Sequence, residues 1–526
     1  MNTMNINNFY EALKKVKARL ILDDYQKEFI KFNKKQWGNK QKCNKNSEVL
    51  VEQNNMQPFI FASSFVANVL ADRYDANIYS FGSTGKLKCY TLEKIYQSFN
   101  SLGHLNDDYK NIDRSFLEEE NNIIKNINNK NELLNLKYLD ISLGEDIYTT
   151  YLINRNRPTV DFNDKYFSKI FSMGLRKAYF WDKYFQNHKV VAVIVSHPCY
   201  IKSNVIAKMA RKYDIPVYLV GGLNVIRRET TDHINSEKFD KYSEMWNMLS
   251  KEEQKKGVLW SKRQLERRFN GEIGVDMSYS KKSSFTTPGS NVSVLEKNSK
   301  LKILICTHCF FDAPHCYGDM LFPDFYEWLN FLGKISEKTN YDWYLKVHPD
   351  YRPGTLENIN LILKKYPKIK FIEPHISHLQ LVKDGIDFVL TVYGTVGCEY
   401  PLLGVQVINA AKNPHIAFKF NHHPKTVFEY QNMLLNLENL DLKFDKEDVY
   451  KFYYIHHTYG RYDSNNYIKD DLIINSYSKL LNDFGYDNIF KNEIYKEFIQ
   501  RSEFNKTVEQ VIDCIKKEDA SAKFTR

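Results

Sequence analysis

The chain predicts an α/β protein made of two Rossmann-like, doubly wound parallel domains that face a cleft. Three observations carry that expectation. Apolar runs of strand length alternate with helical patterns in both halves of the 526-residue chain. A polar stretch rich in Ser, Thr, Lys and Asn, residues 271–300, separates the halves and reads as a linker. Several apolar runs end in small or polar residues, as strands do where ligands bind at their carboxyl ends. The expected division is an N-terminal α/β domain with leading helices (1–270), the linker, a C-terminal α/β domain (301–425) and a C-terminal helical region (426–526).

The elements follow in order. Residues 7–38 carry a basic amphipathic pattern, read as a packed N-terminal helix in preference to a membrane-surface helix. Residues 39–55 are polar and read as a loop. Residues 58–62 open the α/β series as a strand, Ser63 caps a helix through Leu70, and residues 77–81 form the next strand. A helix over about 165–187 leads to a buried strand at 190–195, which Ser196-His197-Pro198 ends. A helix over 201–213 and a strand over 215–220 complete the series, ending in Gly221-Gly222. Helical patterns fill about 236–268. In the second half, strands are expected at 301–306, 343–347, 369–372, 388–390 and 405–408. Helices are expected at 322–338, 355–365, 377–383 and 395–403, and mostly helix after about 424.

Composition bounds the function classes. Hydrophobic residues make up 43% of the chain and aromatics 14%, which excludes wholesale disorder. The net charge of +10 is modest and spread out. It suits phosphorylated ligands or an anionic membrane surface, and it lacks the clustered basic footprint of a nucleic-acid binder. No signal peptide is evident and no run of eighteen apolar residues occurs. The eight cysteines are too sparse for a disulfide scaffold and read as reduced thiols of a cytoplasmic protein.

The chemistry gathers at the strand ends. Thr391-Val-Tyr-Gly394-Thr395-Val-Gly-Cys-Glu399 reads as a strand end, a small-residue turn and a short helix, suited to holding the phosphates of a nucleotide. A strand–glycine–helix turn of ordinary α/β architecture is the plainer alternative. Lys346-Val-His348-Pro349-Asp350 ends another strand, where the lysine and histidine would neutralise a phosphate; a histidine capping a carbonyl is the rival reading. The Glu373-Pro-His375-Ile-Ser377-His378 loop would meet a base, with Ser377 more simply a helix cap. Thr307-His308-Cys309-Phe-Phe-Asp312-Ala-Pro-His315-Cys316 offers Asp312 or His315 as general base. Zinc on Cys306, Cys309, His315 and Cys316 is a weaker alternative, because Cys306 lies inside a strand. Arg227 and Arg228 are anion clamps or ordinary surface charges. No Walker A loop, nucleophile elbow, complete GxGxxG or strand-end Asp-x-Asp occurs.

Together, the Lys346-Val-His-Pro-Asp350 element, the Glu373 loop and the 391–408 segment resemble bacterial capsule and surface-polysaccharide glycosyltransferases of GT-B architecture, in particular the capsule Kdo-transferase type. The resemblance covers about residues 300–410; the first half matches in rhythm and in Ser196-His197-Pro198. It implies donor binding by Lys346, His348, Glu373, Thr391, Gly394, Thr395 and Glu399, with Glu399 on the ribose. It implies an acceptor entering from the N-terminal domain, and catalytic candidates Asp312, His315 and His197. The expected activity is metal-independent transfer of a sugar from a nucleotide-activated donor, the co-substrate, to an oligosaccharide or glycolipid acceptor of a surface glycan. No cofactor, no metal and no nucleic acid is expected. The expected setting is the cytoplasm or the cytoplasmic face of the inner membrane. Two alternatives stay open: transfer of a phosphorylated group from a CDP-linked donor, and a non-catalytic nucleotide-sugar-binding subunit of an assembly complex.

Overall fold

The computed structural model describes residues 20–38, 46–55, 57–83, 89–108, 114–221, 224–228, 239, 241–275, 280–285, 293–316 and 319–460. Two sheets, one mostly and one wholly parallel, organise them. The first runs in the order β3-β2-β1-β6-β7-β8. Its strands are β1 (Ser47–Glu52), β2 (Ala76–Gly82), β3 (Ser101–Asn106), β6 (Lys189–Val195), β7 (Val217–Gly221) and β8 (Asn224–Arg228), with a two-stranded ribbon of β4 (Lys137–Tyr138) and β5 (Ile141–Ser142) beside it. All neighbours in the six-stranded sheet pair in parallel except β7 and β8, which form an antiparallel hairpin. The second sheet is wholly parallel, in the order β11-β10-β9-β12-β13. It comprises β9 (Lys302–Cys306), β10 (Asp342–Lys346), β11 (Ile369–Ile372), β12 (Phe388–Thr391) and β13 (Gln406–Asn409). The architecture is two Rossmann-like α/β domains, as the alternation of apolar runs and helical patterns predicts.

Burial on both faces explains the apolar runs. In β1, Val49 and Val51 enter one core with helix Gln57–Arg73, while Leu50 between them enters the core on the opposite face. In β9, Ile303 and Ile305 face one core and Leu304 and Cys306 the other. A strand covered on both faces has no solvent side, so its sequence is continuous rather than alternating.

Three expectations need correction in the first half. Residues 47–52, expected as loop, form β1, paired on one side with β2 and on the other with β6. Two glutamates flank its apolar triplet and disguise it, and Glu52 is buried because partners from elsewhere satisfy it. Residues 58–62, expected as a strand, lie in helix Gln57–Arg73, since length and the surrounding pattern outweigh a short aromatic run. Ser63, expected to cap a helix, lies inside that same helix. Residues 224–228, given no element from sequence, form β8; the side chains of Arg227 and Arg228 lie outside the described residues. Of the N-terminal amphipathic stretch, helix Asp24–Trp37 is described; it buries Phe29 against the β1 core and starts in a capping box at Asp23. Residues 7–19, and everything after 460, lie outside the described residues.

The strands and helices of the second half fall close to their expected places. Helices Tyr242–Met248 and Lys251–Phe269, drawn with the N-terminal domain on chain order, share a core with helix Lys446–Tyr454, Phe418, Phe420 and Cys398 of the second half. Residues of the linker dock on the second half too: the backbone N–H groups of Lys281 and Lys282 donate to Asp350, and Ser284 accepts from the N–H of His378. A seam joins the halves. Asp324, the N-cap of helix Phe325–Ser336, accepts from Tyr148 and Thr159, and Lys130 pairs with Glu327.

Candidate nucleotide site at the strand ends of the second sheet

The carboxyl end of β12 turns through Val392-Tyr-Gly-Thr395 into helix Val396–Leu402. Most of the turn's donors are spent on holding its shape. The N–H groups of Val392 and Tyr393 both donate to His308 Nε2, at 3.2 and 3.1 Å, and that of Gly394 donates to Thr391 Oγ1 at 3.1 Å. His308 sits just past the end of β9, stacked on Phe325 at 4.7 Å. Because Nε2 accepts two N–H bonds, the ring is neutral, and burial drives its pKa down to about 4. A Cβ at position 394 would lie 2.7 Å from Thr391 Oγ1, so the tight turn requires glycine. From behind, Asn413 donates to the Val392 carbonyl and Asn421 to the Gly397 carbonyl.

Beside this turn stand two cationic side chains and a histidine. Lys346, last residue of β10, is 2% exposed and donates to the Pro374 carbonyl at 2.9 Å. Burial pushes its pKa down to about 8, against the opposing pull of Cys306 and Glu399. His348 is exposed, its Nδ1 accepting from the Asp350 N–H at 3.0 Å. The protein around its ring, with the charges of Lys346 and Arg268, lowers its pKa. Arg268 arrives from helix Lys251–Phe269. Its Nε meets Glu399 Oε1 at 2.5 Å and its Nη2 donates to Thr395 Oγ1 at 3.1 Å. Arg268, Lys346 and His348 therefore lie together beside the 391–395 turn, Arg268 on Thr395 itself, with the buried carboxylate Glu399 within reach of Arg268 and Lys346. Two fixed cations, a neighbouring histidine and a preformed turn in a partly dry setting are what a phosphate group requires.

The residues expected on the donor side, Glu373 apart, lie around this turn, with distinctions among them. Thr391 and Gly394 shape the turn, and Thr395 anchors Arg268. Glu399 is 1% exposed and engaged by Arg268, so a sugar hydroxyl would have to share it. Glu373 is exposed on the next loop. His378, part of the same loop, is buried and hydrogen-bonded through Nδ1 to Tyr400 at 2.6 Å, and burial holds its pKa well below the usual range.

The catalytic candidates separate. Asp312 is exposed, and its Oδ1 accepts from the Tyr200 hydroxyl of the first half at 2.9 Å. His197 is exposed, its ring 5.8 Å from that of Tyr200, so Tyr200 brings Asp312 and His197 to one wall. His315 is 7% exposed in the seam, between the Pro323 carbonyl (2.9 Å) and Thr149 (3.3 Å), with its ring edge-on to Tyr148. Cys306 is buried and its thiol pushed up to about 12. Among the described residues, no three His, Cys, Asp or Glu side chains converge as metal ligands would.

Three residues were missed from sequence. Arg268 lies 131 residues before its partner Glu399; the available signal was its position three residues after buried Leu265, which places it on the packed face of its helix. His308 was visible as the second residue past a strand, in a loop whose other members drew attention. Glu52, at the end of β1, accepts from the Ser196 N–H and hydroxyl and from Ser203, each at 2.8 Å, with Lys202 at 3.1 Å. Burial raises its pKa, but the Lys202 charge and these hydrogen bonds outweigh that and lower it, fixing the Ser196-His197-Pro198 loop.

No family model matches the chain, and no curated protein matches it. Solved structures similar to it include the β-Kdo 2,4-transferase of Thermosulfurimonas dismutans KpsC, at 12% identity and a TM-score of 0.33, covering 50% of this chain and 79% of that one. The β-Kdo 2,7-transferase of the same protein gives 10% identity and a TM-score of 0.31, covering 52% and 79%. Staphylococcus aureus MnaA with UDP gives 11% identity and a TM-score of 0.22, covering 78% and 91%. The two-domain fold rests on the strand pairing described above rather than on these overlaps.

Proposed function

We propose that this protein is a nucleotide-sugar-dependent glycosyltransferase acting on a surface-glycan acceptor. The observation that carries the reading is the grouping of Lys346, His348 and Arg268 beside the Thr391–Thr395 turn, at the carboxyl ends of one parallel sheet. In sugar transfer the bond from the anomeric carbon to the donor phosphate breaks, and negative charge grows on the departing phosphate. Lys346, His348 and Arg268 stabilise that charge from fixed positions, which lowers the barrier without requiring a metal. The acceptor hydroxyl attacks from the side of the first sheet, where Asp312 or His197 takes its proton.

Incubating the purified chain with CMP-, CDP-, UDP- and GDP-linked donors and acceptor glycans, followed by mass spectrometry, tests this. The expected product is an acceptor heavier by one sugar residue. A mass gain containing phosphorus would replace sugar transfer with transfer of a phosphorylated group. Absence of both transfer and donor hydrolysis across the panel would contradict an enzymatic role.

A further inference from the structure

The loop that follows β9 serves two places. At its start His308 holds the 391–395 turn, and four residues later it brings Asp312 against the first half. Four residues of chain reach at most about 14 Å, so the Asp312 backbone stands within that span of His308. Between the two, Phe310 and Phe311 are buried in the core of the second half, which fixes the backbone beside Asp312. One short, anchored loop therefore links the candidate phosphate turn to a carboxylate on the cleft wall.

That carboxylate is held by one of its oxygens. Asp312 Oδ1 accepts from the Tyr200 hydroxyl at 2.9 Å and from the Ala313 N–H at 2.8 Å, while Oδ2 has no hydrogen-bond partner among the described residues. The side chain is exposed, so Oδ2 is open to an incoming hydroxyl. Tyr200 is itself firmly placed. It is the N-cap of helix Ile201–Lys212, and its carbonyl accepts from the Ser203 and Asn204 N–H groups at 3.1 and 2.9 Å. The N–H of Ile201, the next residue, donates to Thr150 Oγ1 at 3.0 Å. Burial and the Asp312 charge push the Tyr200 pKa well up, so its hydroxyl keeps its proton and remains a donor.

His197, on the same wall, has no such support. Among the described residues neither of its ring nitrogens has a hydrogen-bond partner, and its nearest ring contact is Tyr200 at 5.8 Å. A base acts best when a further group fixes its orientation, and that condition separates the two candidates. Asp312 and Tyr200 also come from different halves of the chain, so the carboxylate is oriented only while the halves meet.

We propose that Tyr200 is a positioning residue that holds Asp312 by Oδ1 and leaves Oδ2 to act as the general base on the acceptor hydroxyl. This role rests on the transferase reading. As the acceptor oxygen bonds to the anomeric carbon, its proton passes to Asp312 Oδ2, and the electron pair of the broken bond leaves with the donor phosphate. Steady-state transfer by the full chain, with the donor concentration varied, tests the role. Tyr200→Phe keeps the ring and removes the hydroxyl; it should lower kcat about tenfold with KM for the donor unchanged. Asp312→Asn should lower kcat about a hundredfold or more. Because Tyr200 acts through Asp312, adding Tyr200→Phe to Asp312→Asn should cost nothing further. An unchanged kcat in Tyr200→Phe, additive losses in the double variant, or near-wild-type turnover in Asp312→Asn would overturn the assignment and leave the transferase reading in place. No transfer by the wild type across the donor panel would refute the transferase reading and this role with it.

Discussion

Arg268 Nε lies 2.5 Å from Glu399 Oε1, joining the helix before the linker to the helix that follows the 391–395 turn. Both side chains are largely buried, at 16% and 2% exposure. Removing one member of such a pair leaves an uncompensated charge and typically costs about 3–5 kcal/mol. Arg268→Ala should therefore destabilise the protein by that order in urea unfolding, and Arg268→Ala/Glu399→Gln should recover most of the loss. Equal stability of the single and double variants would show that the pair is not coupled.

Lys346 gives the site a pH signature. Its folded pKa of about 8 lies below the ordinary 10.5, so in the folded chain its charge is lost as pH rises through about 8. Anion affinity should weaken above that pH, and Lys346→Met should flatten the profile. The sign for stability is opposite. Between about pH 8 and 10.5 the unfolded chain binds the extra proton, so this lysine's contribution to stability rises with pH across that window. Calorimetric titrations with a nucleotide between pH 7 and 9.5 check the first statement; a flat wild-type profile would contradict it.

His308 predicts acid sensitivity. Its pKa is lowered to about 4, and those of His415 and His423 to about 3 and about 4, in each case first by burial. As pH falls through 6.5 the unfolded chain takes up protons that the folded chain refuses, so stability is lost between about pH 6.5 and 4. The melting temperature should fall across that range. His308→Ala should remove part of the slope and, by stranding the Val392 and Tyr393 N–H groups, cost about 1–3 kcal/mol at neutral pH. A melting temperature constant from pH 7 to 4 would argue against three neutral histidines in the folded chain.

Much of this architecture is legible in the sequence, and the exceptions have physical causes. The strands of the second sheet show as apolar runs because both faces are covered. Strand β1 escapes notice because Glu48 and Glu52 bracket three apolar residues, and Glu52 is tolerated in the interior only by contacts with residues about 150 positions away. At the site, Lys346 and His348 are visible as strand-end residues of one short segment. Arg268 is not, because its role arises from packing of helix Lys251–Phe269 onto helix Lys446–Tyr454, a long-range contact that no local pattern encodes. His315 has the residue type of a catalytic base, but tertiary contacts enclose it in the seam.

The central claim is that Lys346, His348, Arg268 and the Thr391–Thr395 turn form a nucleotide phosphate site. It is tested most directly by thermal-shift titration of the wild type and of His348→Ala with CMP, CDP, UDP and GDP. His348 is exposed, so its removal should leave the fold intact. At least one nucleotide should raise the wild-type melting temperature, by the equivalent of about 2.7 kcal/mol at a hundredfold excess over Kd, and His348→Ala should lose most of that gain. No shift with any of the four, or the same shift in both proteins, would contradict the site.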